Sequence, residues 1–360
     1  MEDNNQIQDT QTIFKPFRQN GNETSLHIVY KAMMTRYDSN QALALLKEFC
    51  LTSLSVENQR RGLELLYMSS FFDELEELIR VNRKSENEEN RQWAYIYGIM
   101  LERRKTGEKL DPYKMLAGLD KLKPLSQEVE VLKVFLTVYS YNTLRKNGTV
   151  GSYFDTLHEL TNAIDDPLMV MYFQERLEDF LMFYHLLRNE LILCRKYGYR
   201  LINRTHNTFK HCVAHQKLAL TYALENYEQA LYHSNEALSI AEQNGYTRLS
   251  HVVTDKNFPF IAAVNGVYEG VTTSDPIEQA HLDIAKGNIK EAVKVLEEIE
   301  QPSPFQEYYL GKALNDMDRL LSAYHRFTRS GNHFAAQFPI HEIKRIRKLD
   351  IEILEEHRLA

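Results

Sequence analysis

The sequence is short of the two residues that most often interrupt regular structure. Glycine occurs 14 times and proline 9 times in 360 residues, roughly half of their usual shares. Sandwiches, barrels and doubly wound sheets need many glycine-containing turns, so the composition disfavours these classes. Disorder is disfavoured too, because 43% of the residues are hydrophobic and 11% are aromatic. The composition therefore predicts an all-α protein.

Cysteine and long hydrophobic runs are also scarce. The three cysteines, Cys50, Cys194 and Cys212, are widely spaced and form neither a disulfide framework nor a CxxC motif, which is typical of a reducing cytosol. No stretch approaches the roughly 18 consecutive apolar residues of a membrane span. The polar N-terminus lacks the apolar core of a signal peptide. We therefore expect a cytoplasmic protein without a membrane partner.

Positive charge is not in excess. The chain has 43 Lys and Arg against 50 Asp and Glu, for a formal net charge of −7. Phosphate binding depends mainly on Lys and Arg, so a general nucleic-acid coat is disfavoured. A local basic patch on a small domain stays open.

The short motifs of common enzymes are missing as well. The sequence contains no GxGxxG, GxxxxGK[ST], HExxH or GxSxG. His211 and His215 have a spacing that zinc could use, and Cys194 or His206 could add a ligand. The glutamate that a metalloprotease needs is absent, so two packed or exposed histidines are the simpler interpretation. We predict no enzyme activity, no metal and no cofactor.

Apolar residues recur at helical spacing through most of the chain. Ala42, Leu45, Leu46 and Phe49 are one example, and Ile289, Ala292, Val293 and Leu296 are another. The breaks between such segments are short, and only residues 254–275 are less regular. Many short helices joined by short loops predict one continuous array of repeats.

Three segments in the C-terminal half match the tetratricopeptide repeat, in which small residues let two antiparallel helices approach closely. They are residues 226–238, 285–299 and 308–327. In the third segment, Leu310-Gly311 is followed by Ala323 at the offset of that repeat. We predict a tetratricopeptide-like right-handed superhelix of helix-turn-helix repeats, whose concave face holds a peptide or a protein. A non-repeating helical bundle is the alternative.

Several segments, taken in order, resemble the arbitrium receptors, the AimR proteins of temperate phages of bacilli. They are QALALLKEFC at 41–50, SSFFDELEELI at 69–79, ENYEQALYHSNEALSIAEQNGY at 225–246, IEQAHLDIAKGNIKEAVKVLEEI at 277–299 and YYLGKAL at 308–314. The resemblance implies a quorum-sensing receptor of the bacterial host cytoplasm that binds a short secreted phage peptide. It also implies an N-terminal helix-turn-helix that binds promoter DNA. Capture of the peptide then switches off transcription of a regulator of lysogeny.

The resemblance implies that Glu278, in the EQAH segment 278–281, binds the arginine of the peptide. The alternative is a capping box, with Asp275 as N-cap, Pro276 as first helical residue and Glu278 as third. Asn332 stands where the family has a second acid, and this amide would weaken a salt bridge.

A mid-chain asparagine pair of the family falls on Phe183 and Leu187, which are apolar. Backbone-clamping hydrogen bonds would be lost at these two positions. His185 and Asn189 lie nearby and would restore a polar contact if the alignment moved by one turn. The pocket is thus tuned to another peptide or has lost peptide binding.

The N-terminal head is shorter than the resemblance requires. Segment 13–21 aligns with the end of the recognition helix of the family, and about 12 residues precede it where a helix-turn-helix needs roughly 20. Lys15 and Arg18 remain as candidate DNA contacts. The alternative function is a peptide-controlled regulator that binds a protein and not DNA, similar to the Rap proteins.

These observations predict four parts of the chain: a flexible tail at 1–12, a remnant of the DNA-binding-like helical region at 13–37, the peptide-binding superhelix at 38–342 and a C-terminal helix at 343–360. The last helix carries an apolar stripe formed by Ile346, Leu349, Ile353 and Leu354. Relatives use this end to form homodimers, which we expect here. The alternative is that the stripe caps the last repeat.

Overall fold

The chain folds into α-helices, as its shortage of glycine and proline predicts. The computed structural model describes residues 12–19, 21–106 and 110–359, without the side chains of residues 106, 147 and 349–359. Within these ranges the strands are two-residue segments, β1 (Arg18–Gln19) and β2 (Asn22–Glu23), which pair antiparallel. The predicted all-α class is confirmed.

The chain divides into two compact units, residues 1–177 and 178–360. The boundary falls inside helix α10 (Pro167–Leu187). The earlier helices are α1 (Leu26–Arg36), α2 (Ser39–Thr52), α3 (Val56–Met68), α4 (Phe72–Arg83), α5 (Glu88–Thr106), α6 (Pro112–Lys121), α7 (Gln127–Thr143), α8 (Asn147–Gly151) and α9 (Phe154–Asn162).

The second unit continues with helices from α11 onwards and contains one π-helical turn, Val253–Asn257. Its helices are α11 (Leu191–Arg204), α12 (Thr208–Tyr222), α13 (Tyr227–Gln243), α14 (Thr247–Val252), α15 (Phe258–Val264), α16 (Pro276–Lys286), α17 (Ile289–Glu297), α18 (Pro304–Leu314), α19 (Met317–Arg329) and α20 (Gln337–Leu359). The segment that lacked a regular pattern in the sequence contains the π-turn and the loop after α15.

Helices of the second unit pack mainly on their neighbours in sequence, as a repeat requires. The pairs α12–α13, α16–α17 and α18–α19 make extensive contacts. Ala230, Ala292 and Ala323, which the repeat pattern places at close helix crossings, are all buried. A Cβ added to Gly311 would lie 3.0 Å from the Leu320 side chain, so only glycine lets α18 and α19 approach this closely.

Local sequence signals begin and end these helices. Pro276 and Pro304 occupy first-turn positions of α16 and α18, where the missing N–H of proline has no helical partner to lose. Gly287 ends α16 in the left-handed region, at a φ of 93°. Pro276 is thus the first helical residue after the N-cap Asp275, as the sequence predicts.

The core of the first unit contains a buried ion pair. Arg176 of α10 lies 2.5 Å from Glu64 of α3, and both side chains are almost completely inaccessible. The Tyr97 hydroxyl donates to the same carboxylate, and the guanidinium lies over the rings of Tyr67 and Phe135. Pairing and ring contacts offset the cost of burying these charges.

The predicted dimerisation stripe is only partly within the described side chains. Ile346 packs into the core of the second unit, as a residue that caps the last repeat would. The side chains of Leu349, Ile353 and Leu354 lie outside the described residues, and the homodimer stays a prediction. The four predicted sequence regions also remain predictions. No helix in the described part of the chain combines the length and the hydropathy that a membrane span needs.

Candidate functional site

The second unit contains a pocket of about 430 Å³, a volume within the usual range of small-ligand sites. Its walls come from the end of α10, from α12, from the π-turn and α15, from the first two turns of α16 and α18, and from the segment before α20 together with the first turn of α20. The lining residues are Leu186, Leu187, Leu220, Lys256, Asn257, Phe260, Asp275, Ile277, Glu278, Ser303, Phe305, Gln306, Tyr309, Asn332, Phe334, Ala335 and Phe338.

One wall of the pocket is a set of phenylalanine rings in contact. The ring of Phe260 meets that of Phe305 at 5.7 Å and that of Phe338 at 4.8 Å, both edge to face. Such pairs contribute about 0.5–1.5 kcal/mol each beyond the area they bury. The pocket is therefore largely preformed and can bury an apolar side chain of a ligand.

One acidic side chain, Glu278, lies among these apolar groups. The Tyr309 hydroxyl donates to its Oε1 at 2.9 Å and to its Oε2 at 3.0 Å. Burial raises the pKa of Glu278 to about 7, the Asp275 carboxylate adds to this, and the Tyr309 hydrogen bond opposes it. The carboxyl group therefore changes charge near neutral pH and would be stabilised in its ionised form by a cationic ligand.

Asp275 caps α16 as predicted, but Glu278 does not close a capping box. Asp275 Oδ1 accepts the N–H groups of Ile277 at 2.9 Å and Glu278 at 3.2 Å. The backbone N–H of Asp275 donates to Thr273 Oγ1 at 3.0 Å. In a capping box, the glutamate would accept from the backbone N–H of Asp275. That N–H is already bonded to Thr273, and the Glu278 carboxylate accepts from Tyr309 instead. The capping-box alternative is wrong for this side chain.

An ion pair lies at the rim of the pocket beside Glu278. Lys256 Nζ, from the π-turn, lies 3.0 Å from Asp275 Oδ2, and the lysine side chain is 61% exposed. Burial opposes the ionisation of Asp275, but the bond to Lys256 and the N–H groups of α16 outweigh it and lower the pKa. The rim therefore presents one cation and one anion next to the acid in the pocket.

Asn332 lies in the same pocket as Glu278, so the structure brings these two predicted residues together. Asn332 Oδ1 accepts the Ala335 N–H at 3.0 Å and fixes the turn before α20. Leu187, one of the two apolar positions of the expected asparagine pair, also lines the pocket. Its carbonyl accepts the His333 N–H at 2.8 Å. The last turn of α10 is thus tied to the loop that precedes α20.

The two polar residues expected to replace the asparagine pair do not line this pocket. His185 Nδ1 lies 2.6 Å from Glu190 Oε2, and its ring stacks on that of Tyr197. Asn189 adopts the left-handed conformation, at a φ of 61°, in the turn between α10 and α11. Their contacts with a peptide rest on the resemblance alone.

Of the two residues predicted to contact DNA, Arg18 is bonded within the protein. Its Nε lies 3.1 Å from Glu23 Oε1, and its Nη2 donates to Thr52 Oγ1 at 2.8 Å. Its guanidinium also lies 5.0 Å from the centre of the Phe49 ring. Lys15 is exposed. Arg18 therefore contributes to the packing of its own segment.

The two histidines with zinc-like spacing pack beside a third one. His215 Nδ1 lies 3.0 Å from His233 Nδ1, where α12 meets α13. Burial, followed by the neighbouring histidines His233 and His211, lowers the pKa of His215 to about 4. Among the residues that the structure describes, no group of three or more His, Cys, Asp or Glu side chains could hold a metal ion. Because burial lowers its pKa, His215 is a neutral, packed imidazole near pH 7.

Sequence reasoning missed Tyr309 and Lys256 as part of the site. Tyr309 belongs to a segment that matches the repeat core, and 31 residues separate it from Glu278. One usable signal was the repeat itself, because α16 and α18 are first helices of successive repeats and contact each other. Lys256 lies in the irregular segment, for which the sequence offers no periodicity.

The chain is similar to known proteins along most of its length. A family model described as AimR transcriptional regulator-like matches residues 42–345. An uncharacterized protein of Bacillus anthracis is 25% identical over 229 residues, which cover 59% of this chain and 83% of that protein.

Two solved structures share the fold. A structure of phAimR with ligand superposes with a TM-score of 0.70 and 17% identity, covering 89% of this chain and 96% of that chain. A structure of selenomethionine phAimR superposes with a TM-score of 0.69 and 18% identity, covering 88% of this chain and 84% of that chain. The predicted helical-repeat fold is thus confirmed.

Proposed function

Because the chain belongs to the AimR transcriptional regulator-like family, we propose that it is an arbitrium-type peptide receptor. The ligand is a short, arginine-containing signalling peptide, and it binds in the pocket around Glu278. The chain is itself a transcriptional regulator of phage lysis and lysogeny, and binding of the peptide switches its activity. The chain acts as a receptor and not as an enzyme.

The single observation that supports this function best is the environment of Glu278. An acid in an apolar pocket is costly to ionise unless a cation joins it. Tyr309 uses part of the acceptor capacity of both carboxylate oxygens, and each oxygen has a second lone pair left. A guanidinium can donate to both oxygens at once through its planar fork. Arginine is therefore the side chain that fits this group best.

The rest of the pocket suits a peptide better than free arginine. The Phe260, Phe305 and Phe338 rings offer an apolar surface for a neighbouring side chain. The amides of Asn257 and Asn332 line the same space and can bond peptide backbone groups. A ligand with several residues would use both kinds of contact.

The test is calorimetric binding of short synthetic peptides, each with a single arginine, and of counterparts with neutral citrulline in its place. We expect Glu278→Gln and the citrulline exchange each to lower affinity about tenfold or more, as for a lost charged hydrogen bond. When both changes are combined, the affinity should fall little further than with either change alone, because both remove the same interaction.

Glu307→Gln is the matched control for this experiment. Glu307 lies on α18 and pairs with Arg326 at 2.5 Å, and it is not among the pocket-lining residues. Its substitution should leave peptide affinity unchanged. Equal binding of arginine and citrulline peptides by the wild-type protein would refute the role of Glu278.

The internal bonds of Arg18 favour a second candidate, a peptide-controlled regulator that binds a protein partner. An arginine bonded to Glu23 and Thr52 has fewer N–H donors left for a phosphate. A gel-shift assay at low salt with upstream DNA of its own gene separates the candidates. Retardation that Lys15→Ala weakens supports DNA binding. No retardation, with or without peptide, supports the protein-binding regulator.

A further inference from the structure

A line of buried polar groups begins behind the pocket and leads to α20. Next to Glu278 lies His281, which is completely buried and stacks on the Tyr309 ring at 4.0 Å. Beyond it lie Lys312 of α18 and Glu342 of α20, with side chains 11% and 4% exposed. Charged side chains are almost never buried this far unless they are paired, so the arrangement calls for an explanation.

Lys312 Nζ faces three acceptor groups, two at hydrogen-bond distance and one at ion-pair distance. Its Nζ lies 3.2 Å from the Ala263 carbonyl, 3.3 Å from His281 Nε2 and 3.6 Å from Glu342 Oε1. An ammonium group has three N–H donors and no acceptor, and this site offers three acceptors. Burial lowers the pKa of Lys312, and the Glu342 carboxylate opposes this. Lys312 therefore fits as a cation between a histidine and a carboxylate.

The bond from Lys312 determines where His281 carries its proton. A lysine that donates to Nε2 leaves the proton of the neutral ring on Nδ1, and burial followed by the charge of Lys312 lowers the pKa of His281 well below its usual value. Within the described part of the chain, His281 Nδ1 has no hydrogen-bond partner. It lies 3.9 Å from Glu278 Oε2, just beyond bonding distance.

At the other end of the line, Glu342 anchors α20. Its Oε2 accepts from Arg345 Nε at 2.6 Å, and Arg345 Nη2 donates to Asn315 Oδ1 at 3.2 Å, at the end of α18. The contact between Lys312 and Glu342 is longer than the one between Lys312 and His281, which shares the same ammonium group.

We propose that His281, Lys312 and Glu342 form a relay that couples the charge of Glu278 to the attachment of α20. An ionised Glu278 attracts the Nδ1–H of His281 and, through the ring, the positive charge of Lys312. A cation bound at Glu278 cancels that attraction, and Lys312 moves towards Glu342. Ligand binding therefore tightens the ion pair that fastens α20. The identity of the ligand rests on the proposed function, but the relay does not.

The relay can be tested without any peptide, using Glu278→Gln as a mimic of the neutralised carboxylate. Hydrogen exchange of the amides of residues 341–348 is measured at pH 8 in two backgrounds, wild type and Lys312→Met/Glu342→Gln. The double background removes both partners of the ion pair and avoids leaving one charge buried alone. We expect Glu278→Gln to slow exchange about fivefold or more in the wild type, the lower end of typical couplings between sites. In the double background its effect should fall below about twofold, because the linking residues are gone.

Glu307→Gln is the matched control, because Glu307 lies on α18, as Lys312 does, but pairs with Arg326 of α19. In that background Glu278→Gln should retain its full effect on residues 341–348. The proposal is overturned if Glu278→Gln leaves exchange of α20 unchanged in the wild type, or if its effect survives in Lys312→Met/Glu342→Gln. Because no peptide is present, a negative result for peptide binding leaves this outcome unaffected.

Discussion

The Tyr309 hydroxyl donates to both carboxylate oxygens of Glu278 and so joins the first helices of two successive repeats. Glu278 lies on α16 and Tyr309 on α18, with α17 between them in sequence. The acid that faces the pocket is therefore held by the neighbouring repeat and not by its own helix. A change in the distance between these repeats would change the hydrogen bonding of Glu278, and with it the pKa of this carboxyl group.

Removal of the Tyr309 hydroxyl should raise the pKa of Glu278 further. Tyr309→Phe deletes a hydrogen bond that favours the ionised carboxylate, and such a bond contributes about 0.5–1.5 kcal/mol, up to roughly one pKa unit. Carbon-detected NMR titration of the glutamate carboxyl groups measures this shift. Tyr308→Phe is the control, since the neighbouring Tyr308 makes no hydrogen bond to Glu278 in the described structure. An unchanged titration in Tyr309→Phe would contradict the assignment.

The affinity for an arginine-containing peptide should rise with pH. The free protein has a pKa of about 7 at Glu278, and a bound guanidinium favours the ionised form. Binding thus releases a proton below pH 7, and affinity should increase by up to about tenfold per pH unit there and level off above it. Calorimetry between pH 5.5 and 8.5 checks this for the wild type. In Glu278→Gln the profile should be flat across pH 7, and a wild-type profile without this rise would count against the prediction.

The pair His215 and His233 should make the second unit less stable in mild acid. Burial lowers the pKa of His215 from 6.5 to about 4, so the unfolded chain takes up this proton first as the pH falls. The contribution of His215 to the free energy of unfolding is fully present above pH 6.5. It decreases by about 2–3 kcal/mol as the pH falls towards 4. Urea unfolding at several pH values should show a weaker acid dependence in His215→Gln. The exposed His325→Gln should match the wild type, and equal slopes in all three proteins would disprove this origin.

Gly311→Ala should destabilise the second unit through overpacking. The new methyl group would lie 3.0 Å from the Leu320 side chain and 3.1 Å from its backbone nitrogen, and backbone cannot move aside cheaply. We expect a loss of about 1–3 kcal/mol in unfolding free energy. Gly148→Ala is the matched control, because nothing lies within 4 Å of its Cβ position. It should be neutral or stabilising by up to about 1 kcal/mol, and a loss similar to that of Gly311→Ala would show that the contact with Leu320 is unimportant.

The sequence by itself determined the features that depend on nearest neighbours along the chain. Low glycine and proline content and helical periodicity determined the all-α class. The cap at Asp275, the proline starts at Pro276 and Pro304 and the glycine end at Gly287 could be predicted, because each depends on a few consecutive residues. The small residues at helix crossings followed from the repeat spacing. Glu278 was identified by resemblance to a family, and its role in peptide binding stays a prediction.

Only the tertiary structure decided which distant residues meet and what that does to their chemistry. The local pattern around Glu278 also fits a capping box. In the structure, however, the backbone N–H of Asp275 donates to Thr273, and the Glu278 carboxylate accepts from Tyr309, 31 residues away. Burial raises the pKa of Glu278 and removes the Lys312 ammonium group from water. Burial depends on how the helices pack, so no local sequence pattern predicts it. The same packing keeps His185 and Asn189 out of the pocket lining and bonds Arg18 internally. Hydrogen bonds between residues close in sequence determine where the helices form. Contacts between repeats determine which distant side chains interact, because those contacts exist only once the helices are packed.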